Sequence, residues 1–305
     1  MLAHFDSLFD LLAAFPDEQS CIDHVRDIRW KDGEFCPHCG GFRIYHFSDR
    51  KTFKCGDCRE RFSIKVGTIF HDTKLPLRKW FMALWMITNH PKGIASTTLA
   101  KDLKVTQKTA WFVLHRIRHA ARTKSFNAPL KGTIEGDTTF VGGKEKNKHT
   151  HKKMPGSQGG ANKDVVLGMV EREGELRTFH IPNTKAVTVQ GAVLGNVAKG
   201  STLMTDEDGS FLGLGSTYFH HMVNHSQGEY VRHYTIHANT IESVWALLKR
   251  QIFGIHHWVS SKHLHRYLDE MTWRFNRRDM KVTVRMNDMF SCIEGRLKYK
   301  TLIAE

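Results

Sequence analysis

Cys36-Pro-His-Cys39 and Cys55-Gly-Asp-Cys58 are two Cys-x-x-Cys pairs with 15 residues between them, the ligand spacing of a tetrahedral four-thiolate zinc site. A two-residue gap lets both sulfurs of a pair turn toward one ion, and the span between the pairs is long enough to bring the second alongside the first. Disulfide pairing is the weaker alternative in a chain of intracellular character. His38 lies inside the first knuckle, but four thiolates already complete the shell. Cys21 and Cys292 are left over and read as buried thiols.

A second chemistry is suggested by three acids. Asp137 lies inside the β-like stretch Thr133-Ile134-Glu135-Gly136-Asp137-Thr138-Thr139-Phe140-Val141. A carboxylate in a central strand is costly unless something pairs with it, and a divalent cation is one such partner. Asp206 follows the apolar run Thr202-Leu203-Met204. Carboxylates at the ends of neighbouring strands can share a pair of Mg²⁺ ions about 4 Å apart. The third acid, Glu242, is on a helix, where Asn239, Glu242, Ala246 and Lys249 fall on one face and Trp245 and Leu248 on an adjoining apolar stripe. Singly, each acid is more often a cap, a turn residue or an ion-pair partner. The ordered set of strand Asp, strand-end Asp and helix Glu is much less common by chance.

These groups need elements to hold them. The chain has 305 residues and a formal net charge of +14, with a pI near 9.6, a balance that favours a polyanionic partner. No apolar run approaches a membrane span. Met1–Phe15 is interrupted by Asp6 and Asp10 and lacks a basic leader, so it reads as an amphipathic helix with Phe5, Leu8, Phe9 and Leu12 on one face. Residues 1–30 form a helical segment, 31–70 a zinc ribbon, 75–122 a helix-turn-helix-like region, and 130–295 an α/β domain.

Within 75–122, a broad apolar helix over Leu77–Thr88 ends at Pro91 and Gly93. Ile94–Leu103 follows, then a short turn at Lys104-Val105 and a helix capped by Thr106. Ala110, Val113, Leu114 and Ile117 face the core, which leaves Gln107, Lys108, His115, Arg116 and Arg118 outside. A tight turn before a basic second helix suggests DNA reading, with Gln107 and Lys108 nearest the bases and Arg116 and Arg118 near phosphates. Any small helical bundle gives the same pattern.

From Gly132 the pattern changes. Strands are expected over Gly132–Val141, Asp164–Glu171 and Glu175–Ile181, a helix over Thr184–Val197, and a strand over Ser201–Thr205. Between the first two strands, the loop 142–163 carries six lysines and a single acid, Glu145. It reads either as a disordered basic loop or as an arm that grips phosphates, through Lys144, Lys146 and Lys148 among others.

The chain closely resembles bacterial insertion-sequence transposases that join an N-terminal zinc ribbon to a DDE-type catalytic domain. The resemblance is carried by Arg29-Trp30, Gly67-Thr68-Ile69-Phe70, Lys108-Thr109-Ala110-Trp111, Asp137 with Phe140-Val141-Gly142-Gly143-Lys144, Thr205-Asp206-Glu207, His225-Ser226, Asn239-Thr240-Ile241-Glu242-Ser243, Leu248-Lys249-Arg250 and Arg274-Phe275-Asn276-Arg277. It implies a ribonuclease-H-like mixed sheet with flanking helices, preceded by the ribbon and the helix-turn-helix region. It implies metal-dependent cleavage and strand transfer on transposon ends, structural Zn²⁺, and catalytic Mg²⁺ or Mn²⁺ held by Asp137, Asp206 and a third member, Glu242 or Asn239, of which the charge of two divalent ions favours Glu242. Asn239 and Lys249 join the catalytic set, since related groups have Asn or Glu as the third member. The implied partners are transposon-end and target DNA and further copies of the chain in the DNA complex, in a bacterial cytoplasm at the nucleoid. The family's usual Asp-Glu-Thr-Tyr is Asp137-Thr138-Thr139-Phe140 here, and Ala238 stands where Thr is frequent. Neither departure removes a proposed ligand. The competing readings are a catalytically inactive zinc-ribbon regulator and a nuclease without joining activity.

Overall fold

The computed structural model describes residues 3–122, 128–143, 149–150, 160, 162–223 and 237–304. The chain divides into two compact units, Met1–Arg122 with Arg277–Glu305, and Thr123–Asn276.

In the first unit, α1 (Leu8–Ala14) and α2 (Glu18–Arg29) each start on a capping box, Ser7 with Asp10 and Asp17 with Ser20. The buried face of the N-terminal segment is Phe5, Leu11 and Phe15, whereas Phe9 is 81% exposed. This corrects the expected apolar face. The chain enters the helix only at Leu8, so Phe5 sits on an extended lead-in that bonds through its N–H to Thr283 Oγ1 at 2.9 Å. The zinc ribbon follows, with β1 (Ile44–His46), β2 (Thr52–Cys55) and β3 (Arg61–Ser63) in one antiparallel sheet. Its inner face packs Phe53 on Trp30 and Phe62, with ring centroids 4.8 and 5.7 Å apart.

Three helices come next, α3 (Leu77–Asn89), α4 (Ser96–Leu103) and α5 (Gln107–Ala120). Lys104 closes α4 in the left-handed region at φ 51°, and Thr106 caps α5 by accepting from the Thr109 N–H at 3.2 Å. The tight turn between these helices is therefore as expected. The C-terminal segment completes this unit rather than the α/β domain, contrary to the expected boundary at residue 295. Its helix α9 (Val282–Ser291) sets Phe290 against Phe81 at 4.5 Å and His24 at 5.2 Å. Beyond it, the Ile69 N–H donates to Ile293 O at 2.9 Å, before α10 (Tyr299–Ala304).

The second unit is a sheet covered on both faces. Its strands are β4 (Thr133–Val141), β5 (Asp164–Glu171), β6 (Leu176–Ile181), β7 (Thr202–Thr205) and β8 (Phe219–Met222), in the order β6-β5-β4-β7-β8. The first three form an antiparallel meander, whose β5–β6 turn places Glu173 at φ 60°. β7 pairs parallel to β4, and β8 parallel to β7. The helix α6 (Ala186–Asn196) makes the crossover into β7. This is the expected mixed sheet with flanking helices.

Period-two alternation decides which side chains meet which helices. Val165, Leu167 and Met169 face a core with Val189 and Val193 of α6 and Phe211. Val166 and Val170 face the other core, with α7 (Asn239–Gln251) and α8 (Ser261–Asn276). On β4, Ile134 belongs to the α6 side and Val141 to the α7 side. Glu135 and Asp137 therefore point toward α7.

Candidate active site and metal centre

The four cysteines converge. The Cys36 and Cys58 sulfurs are 3.7 Å apart, those of Cys39 and Cys55 3.6 Å, and all four lie within 4.8 Å of one another. A tetrahedron with Zn–S bonds of about 2.3 Å has edges of about 3.8 Å, so the set fits zinc. Backbone N–H groups of His38 and Asp57 point at the sulfurs of Cys36 and Cys55, at 3.4 and 3.3 Å. Such bonds favour thiolates. A Cβ at Gly41 would sit 2.2 Å from Asp57 Oδ2 and 3.3 Å from the Cys39 sulfur, so the Asp57 side chain would have to swing away.

In the second unit, the strand register brings the aspartates together. Gly136 pairs with Thr205 across β4 and β7, so the next residue on each, Asp137 and Asp206, emerges at the same level. Neighbouring strands are about 4.8 Å apart. Asp137 Oδ2 accepts from the Trp245 indole N–H at 2.7 Å and Oδ1 from the Thr138 N–H at 2.6 Å. Asp206 Oδ1 accepts from the Asp208 N–H at 3.1 Å, which fixes the turn leaving β7.

The electrostatics record the crowding. Burial pushes the Asp137 carboxyl up to about 7, and the nearby charge of Asp206 adds to it. The bonds from Trp245 and Thr138 oppose this rise, and the charge of Glu242 contributes in the same direction as Asp206. Asp206 and Glu242 are therefore each within electrostatic reach of Asp137. Asn239, Glu242 and Lys249 lie on the exposed face of α7, while Ile241, Val244, Trp245 and Leu248 are buried under it. Among the described residues, only the cysteines close to within 4.8 Å as a group. Two ions about 4 Å apart span a wider set of oxygens than a single ion does.

Four residues around the site carry no sequence signature of their own. Trp245 reads as plain core in the helical period, yet its indole N–H orients Asp137. Gly168 pairs with Asp137 on β5, and a Cβ there would lie 2.4 Å from the Trp245 ring. Glu135 is fully buried two residues before Asp137, and Arg172 reaches it at 2.8 Å. The available signal was positional, since Glu135 and Asp137 share a strand face.

The residues expected to touch DNA separate. Gln107 and Lys108 are exposed at the start of α5. Gln107 Nε2 donates to Ser96 Oγ at 2.9 Å, and the Lys108 ammonium sits 5.0 Å over the Tyr299 ring. The exposed basic face expected further along α5 does not exist. His115 is 0%, Arg116 6% and Arg118 1% exposed. The Arg116 guanidinium donates to His71 O at 2.9 Å and Leu297 O at 3.3 Å, and burial pushes its pKa down to about 10. The carbonyls that hold Arg116 lie 45 and 181 residues away in the chain, a long-range contact that helical periodicity does not encode. Lys144, Lys146 and Lys148, like His225 and Ser226, lie outside the described residues.

Comparisons with known proteins agree with this division. Residues 129–276 match the ISXO2-like transposase domain family, and residues 16–61 match the transposase zinc-ribbon domain. A protein of Halobacterium salinarum, described as an uncharacterized protein in transposable element ISH50, is 26% identical over 84% of this chain and 90% of its own length. Among solved structures, a pre-cleavage Mos1 transpososome aligns with 70% of this chain and 79% of its own, at 12% identity and a TM-score of 0.25. The Mos1 strand transfer complex aligns with 64% and 75%, at 12% identity and a TM-score of 0.20. Scores of that size do not define a shared fold. Among the described residues, no helix is long and apolar enough to cross a membrane.

Proposed function

We propose that this chain, an insertion-sequence transposase with an N-terminal zinc ribbon, cuts DNA at the ends of its element and joins those ends to target DNA. The reading is supported by the β4–β7 register, which brings Asp137 and Asp206 out at one level, and by the charges of Asp206 and Glu242 acting on the buried Asp137 carboxyl. Three carboxylates so placed repel one another and are relieved by cations. Two divalent ions bound there, Mg²⁺ or Mn²⁺, would activate the attacking oxygen and stabilise the leaving one.

The protein's own part is binding and orientation. Asp137 and Asp206 hold fixed rotamers through the Trp245 indole, the Thr138 N–H and the Asp208 N–H. Glu242 supplies the third negative charge, which compensates divalent ions better than a neutral amide does. Asn239, one turn earlier, orients Glu242 or lends its amide oxygen. Lys249, about two turns beyond on the same face, meets a phosphate near the cut. Gln107 and Lys108 remain exposed for base contact, whereas the backbone-binding role expected of Arg116 and Arg118 passes to other basic residues. The zinc ribbon supplies a rigid module for end recognition, and copies of the chain assemble on paired ends.

The test is cleavage of a labelled duplex carrying the element's terminal sequence, with Mg²⁺ and purified full-length protein. Glu242→Gln should abolish cleavage while retaining end binding, and Asn239→Ala should be less severe. Near-normal cleavage in Glu242→Gln beside a dead Asn239→Ala would reverse those two roles.

A further inference from the structure

We propose that Glu135 is a positioning residue that sets the distance between Asp137 and Glu242 by capping α7 from the neighbouring strand. This rests on the catalytic reading above.

The first amides of a helix have no partner within it, and α7 does not supply one locally. Its N-cap is Ala238, which has no side chain to accept a hydrogen bond. The bonds come instead from β4. Glu135 Oε2 accepts from the N–H groups of Thr240 at 2.7 Å and Ile241 at 3.0 Å, and Oε1 accepts from Thr240 Oγ1 at 3.0 Å. A carboxylate at a helix N-terminus also meets the positive end of the helix dipole.

A buried charge requires a partner. Arg172 Nε donates to Glu135 Oε1 at 2.8 Å, and its Nη2 donates to His237 O at 2.9 Å. His237 Nδ1 is 3.4 Å from Glu135 Oε1. The chain entering α7 is thus held through the same carboxylate as the helix itself.

The geometry gives this cap a second consequence. Glu135 and Asp137 are two residues apart on one face of β4, about 7 Å along the strand. Thr240 and Glu242 are two residues apart on α7. The cap ties the two elements below the carboxylates, and the Trp245 bond to Asp137 at 2.7 Å ties them again one turn above Glu242. A local Ser or Thr cap would satisfy one of the helix amides but would not link α7 to β4. The link is what a metal site drawn from separate elements needs, since outer partners of metal ligands typically govern about 10–100-fold in affinity or activity.

The experiment uses the full-length, zinc-loaded protein and Mn²⁺ itself as the probe. Free Mn²⁺ is counted by electron paramagnetic resonance during titration, and thermal unfolding is followed without divalent metal. Glu135→Gln should weaken Mn²⁺ binding about 10-fold or more. It should raise the Mg²⁺ concentration for half-maximal cleavage by a similar factor, with unchanged end binding. Adding Ala238→Ser, which offers a local acceptor to one amide, should recover part of the lost melting temperature but not Mn²⁺ affinity. Wild-type Mn²⁺ binding in Glu135→Gln overturns the proposal, as does recovery of affinity together with stability in the double variant. If Glu135→Gln does not fold, Thr240→Ala removes only the hydroxyl bond and should weaken Mn²⁺ several-fold; no change there overturns it too. Asp137→Asn separates the two levels. Loss of Mn²⁺ binding there but not in Glu135→Gln rejects the positioning role alone, and retention in both rejects the site.

Discussion

Asp137→Asn should stabilise the metal-free protein while destroying its chemistry. With its carboxyl at about 7, against 3.8 for the free group, Asp137 stays protonated in the folded chain over a pH range in which the unfolded chain has lost that proton. The folded state therefore binds more protons across that window, and stability falls as pH rises through it. The stabilisation is whole below about 4 and gone above about 7. A shift of about 3 units at about 1.4 kcal/mol each makes the ionised carboxylate cost at most about 4 kcal/mol at pH 8.

The amide removes that cost but cannot accept from both Trp245 and Thr138 with one oxygen. Losing one of those two bonds returns about 1–3 kcal/mol. The net gain at pH 8 is about 1–3 kcal/mol, or about 2–12 °C in melting temperature for a domain of this size. Between pH 8 and pH 5 the advantage should shrink by about 2–3 kcal/mol, because the wild type regains its proton. The assay is thermal unfolding in a chelator too weak to strip the zinc, at pH 5 through 8. A variant less stable than wild type at pH 8, or a difference constant with pH, would refute the electrostatic account of the site.

Other outcomes follow from the same contacts. Cys39→Ser should release zinc and unfold the ribbon locally, because structural zinc is folding energy in so small a module; metal analysis should fall from about one zinc per chain, and limited proteolysis should cut within residues 31–70 while leaving the α/β unit intact. Gly168→Ala should push the Trp245 ring off Asp137, at about 1–3 kcal/mol of overpacking, and lower cleavage without altering end binding; an unchanged rate argues against the indole's role. Arg116→Ala with Arg118→Ala should lower the melting temperature of the first unit and leave the salt dependence of DNA binding unchanged, because both side chains are buried; a slope reduced by about one per residue would put them on phosphate after all.

How much of this was legible in the sequence depends on how local each signal is. The cysteine spacing specifies its own geometry, and the sulfurs converge as it requires. The α4–α5 turn was legible because Thr106 caps within three residues. β5 was legible over Asp164–Glu171 because it is apolar on both faces. β8 was not: it is a short, mostly exposed edge strand whose apolar Phe219 is 68% exposed. The C-terminal helix α9 and the burial of Arg116 arise from contacts between residues far apart in the chain, as with Phe5 and Thr283 or Arg116 and Leu297. The carboxylates could be picked out singly, but that Glu135 rather than a residue of α7 caps that helix needs the strand and the helix side by side.

The central claim is that Asp137, Asp206 and Glu242 form one metal-dependent centre for joining DNA. The direct measurement is strand transfer: pre-cut duplex ends of the element are incubated with supercoiled target plasmid, full-length protein and Mg²⁺, and joined products are resolved on a gel. The wild type should join ends to target, and Asp137→Asn, Asp206→Asn and Glu242→Gln should each abolish joining while still retarding the end duplex. Joining that survives all three substitutions would contradict the claim, as would a wild-type protein that binds the ends and never joins them.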